Sequence, residues 1–193
     1  MGKFAIISDG GGRVTRTELT IAGVGGQGSI LAGVILGKAA VTYDGKYATQ
    51  TQAYSSELRG GFAATWLVIS DEPVEYPRVI NPDILVAQAM DSIERFGESM
   101  KQDGVLIIDS DMISTAPEKV KTVFSVPATS LARNEIKAPV TANIIMLGAL
   151  CRVTEVVSRL ALEKAVVESV PKGKEALNLK ALQLGYDLVQ NAH

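Results

Sequence analysis

The sequence predicts an α/β fold: a three-layer α/β/α sandwich whose mixed, mostly parallel sheet contains an antiparallel hairpin. Three observations carry that expectation. Short apolar runs of strand length alternate with longer segments of helical spacing, as in chains that lay helices over both faces of a sheet. The first run passes into a helix through Gly23-Val24-Gly25-Gly26-Gln27-Gly28. Two β-rich runs, 46–54 and 62–69, are joined by a short connection holding Gly60 and Gly61, which reads as a hairpin.

The elements follow in order. Strand 19–22 is apolar and ends on the glycines. Helix 27–42 places Ile30, Leu31, Val34, Ile35, Leu36 and Ala39 at helical spacing. Strands 46–54 and 62–69 form the hairpin. Strand 83–87 leads to helix 92–100, and strand 105–109 is a continuous apolar run suited to a sheet covered on both faces. Strand 122–126 precedes helix 142–153, and helices 158–170 and 174–191 close the chain. Residues 1–17, with Gly10-Gly11-Gly12, read as an N-terminal extension, either a short added strand with a flexible link or a tail. Residues 18–193 are then a single domain. No internal repeat or low-complexity segment interrupts it.

Composition narrows the function classes. Hydrophobic residues make up 47% of the 193 and charged residues 21%, which suits a packed core and excludes a disordered chain. The net charge of -2 leaves no basic footprint for nucleic acid. No apolar run reaches the roughly 18 residues of a membrane span, and the apolar block 4–7 is too short for a signal peptide. The expected location is cytoplasmic.

One cysteine and one histidine exclude more. Iron–sulfur clusters are held by sets of cysteine thiolates and zinc by sets of cysteine and histidine, so this chain alone supplies neither. Cys151 sits in an apolar helical run, where a small buried hydrophobe and a redox thiol are the two readings. His193 is the last residue, a poor place for a triad base. Any hard chemistry must come from an organic cofactor or from other subunits.

Two segments invite a binding role. A strand, a glycine turn and a helix N-terminus leave backbone N–H groups pointing outward, which favours a phosphate or carboxylate. The alternative is that Gly23, Gly25, Gly26 and Gly28 only permit a tight turn and close packing. A nicotinamide site is disfavoured. It needs an acid on the second strand about 20 residues further on, where this chain has Gln50 and Gln52, and Asp44 lies in the preceding turn. In the hairpin connection, Glu57 and Arg59 are not demanded by turn geometry. They form either a solvated ion pair, or an Arg59 fork for an anion with Glu57 steadying it.

Taken together, Gly23-Val24-Gly25-Gly26-Gln27-Gly28 and Gln50-Thr51-Gln52-Ala53-Tyr54-Ser55-Ser56-Glu57-Leu58-Arg59-Gly60-Gly61 resemble the gamma subunit of 2-oxoacid:ferredoxin oxidoreductases, closest to the 2-oxoglutarate branch. The resemblance continues through Ile69–Pro77 in sequence, Asn81-Pro82-Asp83, Leu106-Ile107-Ile108-Asp109-Ser110, Val170-Pro171-Lys172-Gly173-Lys174-Glu175 and Asn178-Leu179-Lys180. One departure stands out: Ser55-Ser56 occupies the place of a Gly-Pro pair common in the family. The resemblance implies a subunit inactive alone, within an enzyme that converts a 2-oxoacid, coenzyme A and oxidised ferredoxin into acyl-CoA, CO2 and reduced ferredoxin. It implies that thiamine diphosphate, Mg and [4Fe-4S] clusters belong to partner subunits, alpha and beta with a delta subunit where one is present. It leaves this chain assembly and a share of the coenzyme A site, on Gly23, Gly25, Gly26, Gln27, Gly28, Glu57, Arg59 and Gly60, with a dimer expected for the isolated chain.

Other residues carry plainer expectations. Asp109, Ser110 and Asp111 at a strand end suit capping, solvation or a hard cation. Thr141 is placed as an N-cap, and Asn143 as a contact to a partner subunit. Gly33 and Gly37 lie on one helix face and would allow close approach to the sheet. Trp66 belongs to core or interface.

Overall fold

A computed structural model gives the fold; it describes residues 15–55 and 61–190. Six strands, β1 (Arg16–Val24), β2 (Tyr47–Tyr54), β3 (Phe62–Ser70), β4 (Ile84–Ala87), β5 (Val105–Asp109) and β6 (Thr122–Val126), form one sheet in the order β2-β3-β1-β4-β5-β6. β1 pairs parallel to β4, β4 to β5 and β5 to β6, while β3 runs antiparallel to both β1 and β2. One strand therefore opposes the other five, the mixed, mostly parallel sheet the sequence predicts. β1 begins at Arg16, earlier than its apolar run suggests, because Arg16 and Thr17 pair with Ser70 and Ile69. Residues 1–14 of the expected extension lie outside the described residues.

Side-chain alternation sorts the strands onto two faces. Leu19, Ile21, Leu67, Ile69, Ile84, Val86 and Ile107 turn toward a large layer of helices. That layer comprises α1 (Ser29–Lys38), α3 (Ala128–Asn134), α4 (Ala142–Thr154), α5 (Arg159–Ser169) and α6 (Glu175–Gln190). Leu85, Ala87, Leu106 and Ile108 turn the other way, onto Ile93 of α2 (Met90–Phe96) with Met100, Ile113 and Val120. This second outer layer is thin, a single seven-residue helix with loops.

Two helix endings differ from expectation. The helix expected over 27–42 is α-helical only to Lys38 and widens into a π turn over Ala39–Tyr43. The helix expected over 92–100 starts at Met90 and closes in a 3-10 turn, Gly97–Ser99. Glycine serves close packing where α4 meets α6. A Cβ on Gly148 would lie 2.1 Å from the Leu182 carbonyl oxygen, and one on Gly185 only 1.8 Å from that of Ile145. Gly33 approaches the sheet as expected, since a Cβ there would meet Thr65 at 2.5 Å, whereas Gly37 has an ordinary 3.6 Å neighbour.

α3 is absent from the sequence reading. Its seven residues carry too little apolar spacing to show. Its N-terminus is capped from β5: Thr129 donates its hydroxyl to Asp109 Oδ2 at 2.6 Å, and the Ser130 amide donates to Asp111 Oδ2 at 2.6 Å. Capping is thus the observed role of this acid pair, and no group of acids, cysteines or histidines among the described residues is arranged to hold a metal ion.

Candidate functional site

The glycine loop leaves β1 at the centre of the sheet, where the chain's connections part. From β1 the chain crosses over one face, through α1, toward β2; from β4 it crosses the other face, through α2, toward β5. A crevice opens where neighbouring parallel strands send their connections opposite ways. The loop lies in that crevice.

Three segments distant in sequence hold it. The Gly25 amide donates to the Gly61 carbonyl at 2.7 Å, tying the loop to the start of β3. Gln27 folds back so that its Oε1 accepts from the Val24 amide at 2.7 Å, and its Nε2 donates to the Gln88 carbonyl at 2.9 Å. Gln88, just beyond β4, returns the bond, Nε2 to the Gln27 carbonyl at 3.0 Å. Asn143, on the first turn of α4, donates Nδ2 to the Gly28 carbonyl at 3.1 Å. Asn143 is 2% exposed, so within this chain it is a support for the loop.

The glycines divide by role. A Cβ on Gly23 would fall 2.4 Å from Gln27 Oε1, and one on Gly28 2.5 Å from Asn143 Nδ2, with Gly28 also at φ 76°. Both are needed for close approach. Gly26 has φ 96° and open space where a Cβ would stand, and Gly25 and Gly26 are exposed. They form the surface a ligand would meet.

Gly28 caps α1 without any side-chain cap, and the first helical bond runs from the Ala32 amide to the Gly28 carbonyl. The amides of Gly28, Ser29, Ile30 and Leu31 take no partner among the described residues. These are the donors a helix start leaves over, at the positive end of its dipole. Beneath them, Ser29 Oγ, Gln88 Oε1 and Asn143 Oδ1 are buried and lack hydrogen-bond partners. Buried polar atoms normally find one, so both the rim and the floor of the loop are equipped to bind a polar group.

Glu57, Arg59 and Gly60 lie outside the described residues. Of the described residues on either side, Gly61 accepts the Gly25 amide, and the Ser55 amide closes the hairpin on the Phe62 carbonyl at 2.9 Å. Gln88 belongs to no motif in the sequence, and a polar residue directly after an apolar strand is the one signal that points to it. Thr141 stands at the start of α4 but does not cap it; its hydroxyl donates to the Ala138 carbonyl at 2.8 Å. Cys151 is buried, its thiol pushed up to about 11 chiefly by burial, as a structural cysteine would be. Trp66 packs edge-on against Phe96 at 5.8 Å between ring centres.

The sequence profile of the Pyruvate ferredoxin/flavodoxin oxidoreductase family matches residues 18–188. The chain belongs to that family, as a gamma-type subunit. It is 49% identical over 177 residues to the 2-oxoglutarate synthase subunit KorC of Methanocaldococcus jannaschii, covering 91% of this chain and 95% of that one. It is 45% identical over 180 residues to the KorC subunit of Methanothermobacter marburgensis, covering 90% and 97%. Its fold matches the crystal structure of a keto/oxoacid ferredoxin oxidoreductase gamma subunit from Geobacter sulfurreducens, with TM-score 0.84, 38% identity, and coverage of 92% of this chain and 98% of that one. Within the 2-oxoacid oxidoreductases, then, the glycine loop belongs to a subunit of an enzyme. No helix among the described residues is long and apolar enough to cross a membrane.

Proposed function

We propose that this subunit serves a 2-oxoglutarate:ferredoxin oxidoreductase and supplies part of its coenzyme A site. The reaction is 2-oxoacid, coenzyme A and oxidised ferredoxin giving acyl-CoA, CO2 and reduced ferredoxin. The relatives named 2-oxoglutarate synthase support the choice of 2-oxoacid. Alpha and beta subunits, with a delta subunit where one is present, would carry thiamine diphosphate, Mg and [4Fe-4S] clusters, since this chain has one cysteine, and it is buried. Thiamine diphosphate supplies the carbanion chemistry of decarboxylation and the clusters carry the electrons to ferredoxin. The complex is expected in the cytoplasm.

The observation that carries the coenzyme A assignment is the set of amides at the start of α1 that take no partner among the described residues, in the crevice where β1 and β4 part. Coenzyme A brings a diphosphate and a ribose phosphate. Gly26 lets its backbone approach a phosphate, the amides of Gly28 and the first turn donate to it, and the dipole favours its charge by about 0.3–1 kcal/mol. Gln27 and Gln88 keep the loop in shape for this, each bonded to the other's carbonyl. Arg59, two residues before the Gly61 that meets the loop, would add a charge-assisted bond worth about 1.5–3 kcal/mol, with Glu57 steadying it.

The test is Arg59→Ala in the reconstituted complex, with coenzyme A and 2-oxoglutarate varied separately. The coenzyme A requirement is expected to rise about ten- to a hundredfold, with the 2-oxoacid requirement nearly unchanged. An intact complex with unaltered coenzyme A dependence would remove Arg59 from the site.

A further inference from the structure

β2 ends the sheet, and no strand among the described residues lies beyond it. Its register on β3 runs from Tyr47↔Ser70 to Tyr54↔Ala63, and the next pair in that register, Ser55 and Phe62, is hydrogen-bonded. Bonded and non-bonded pairs alternate along an antiparallel ladder. Tyr47, Thr49, Thr51 and Ala53 therefore bond inward to β3, while the backbone groups of Ala48, Gln50, Gln52 and Tyr54 point out of the sheet. Edge strands are usually blunted by charge, proline, a bulge or shortness. β2 has eight residues, Tyr-Ala-Thr-Gln-Thr-Gln-Ala-Tyr, with no charge, no proline and an unbroken register.

An apolar stripe runs beside it. Leu31, Val34 and Val41 are exposed at helical spacing along α1 and its π turn. The stripe adjoins the edge, because Gln50 of β2 donates to the carbonyl of Ile30 at 3.4 Å. At one end of the edge a notch of about 480 Å³ is lined by Val41, Gly45, Lys46, Tyr47, Ala48 and Thr49. At the other end Tyr54 projects, 69% exposed.

We propose that a second copy of this chain adds to β2, antiparallel, about a two-fold axis through Thr51. Such an axis requires the central residue to face its own copy. Centred on Thr51, Ala48 faces Tyr54 of the other copy and Gln50 faces its Gln52, so all four outward residues are paired. Centred on Gln50, Tyr54 would need Lys46, whose amide is already given to the Ala40 carbonyl. The Thr51 register also brings each exposed Tyr54 to the other copy's Ala48 and its notch. Because β2 is uncharged, no like charges meet across the axis. The two sheets become one, and the α1 stripes lie side by side on the same face, an isologous contact.

The full chain carrying Thr51→Cys tests the register. A non-bonded antiparallel pair has Cα atoms about 4.5 Å apart, within the roughly 4.4–6.8 Å that a disulfide spans. Mild oxidation should link Thr51→Cys chains into covalent dimers and leave Gln52→Cys, which faces Gln50, unlinked; buried Cys151 gives no background. Val34→Lys, on the exposed stripe, should raise the dimer dissociation constant about tenfold or more with unchanged circular dichroism. The same Thr51→Cys link should form in the assembled enzyme, independently of coenzyme A. The proposal is overturned if light scattering shows a monomer at every concentration, or if cysteines at 51 and 52 link equally well. Failure of Val34→Lys to weaken the dimer would also overturn it.

Discussion

At the level of single residues, Gly26 and Gly28 look alike in sequence and differ in consequence. Both hold positive φ, but only Gly28 has a neighbour, Asn143, where a Cβ would stand. Gly28→Ala combines backbone strain of about 1–3 kcal/mol with overpacking of about 1–3 kcal/mol, and is expected to lower the unfolding midpoint clearly. Gly26→Ala should cost strain alone, with its larger effect on coenzyme A dependence of the complex. Urea unfolding of both variants beside the coenzyme A titration checks the split, and equal stability losses would contradict it. The loop was legible as a strand–glycine–helix pattern. Its supports were not, because Gln88 and Asn143 lie 61 and 115 residues away from their partners in it, and no local spacing announces such a contact.

Among the elements, the largest surprise is α3. Asp109 and Asp111 read as strand-end acids suited to capping, and the fold adds which helix they cap, 20 and 19 residues later. Burial pushes the Asp109 carboxyl above its usual 3.8, against the lowering effect of bonds from Thr129 and Asp111, with the Asp111 charge adding to the rise. A carboxyl raised on folding binds more protons in the folded than in the unfolded chain across that interval. Its contribution to stability is therefore greatest at low pH and falls as pH rises from 3.8 through the folded value. Asp109→Asn should flatten that part of the stability–pH curve relative to the unaltered chain, measured by denaturant unfolding across the acid range. A parallel curve would assign the slope to other groups. The strands were the most legible elements, with 105–109 recovered to the residue and a strand found near 122–126 as expected, since short apolar runs between turns leave little room for error. The helix ends were less so, because the π turn after Lys38 keeps the apolar spacing of the helix it interrupts.

For the molecule as a whole, the subunit character follows from the family match over residues 18–188 and from the gamma-type relatives. With one buried cysteine and a single histidine at its last position, the isolated subunit is expected to be colourless and unable to oxidise 2-oxoglutarate. Visible absorption from a stoichiometric cluster, or turnover by this chain alone, would contradict that. The sheet's reversal at β3 was legible from the hairpin, but not β3's place between β1 and β2, which only long-range pairing decides. That placement has a consequence for how the chain comes to be folded. β1 is the first of the described strands to be made yet occupies the middle, and its two neighbours, β3 and β4, begin at Phe62 and Ile84. The β2–β3 hairpin can close locally as soon as it is synthesised, whereas the parallel half must wait for β4 to reach β1 across more than half a hundred residues. Such distant pairings are slow to form. A nascent chain that has paired β1 with the β2–β3 hairpin but still lacks β4 would present two open edges, β2 on one side and β1 on the other, the kind of exposed edge at which misassembly begins.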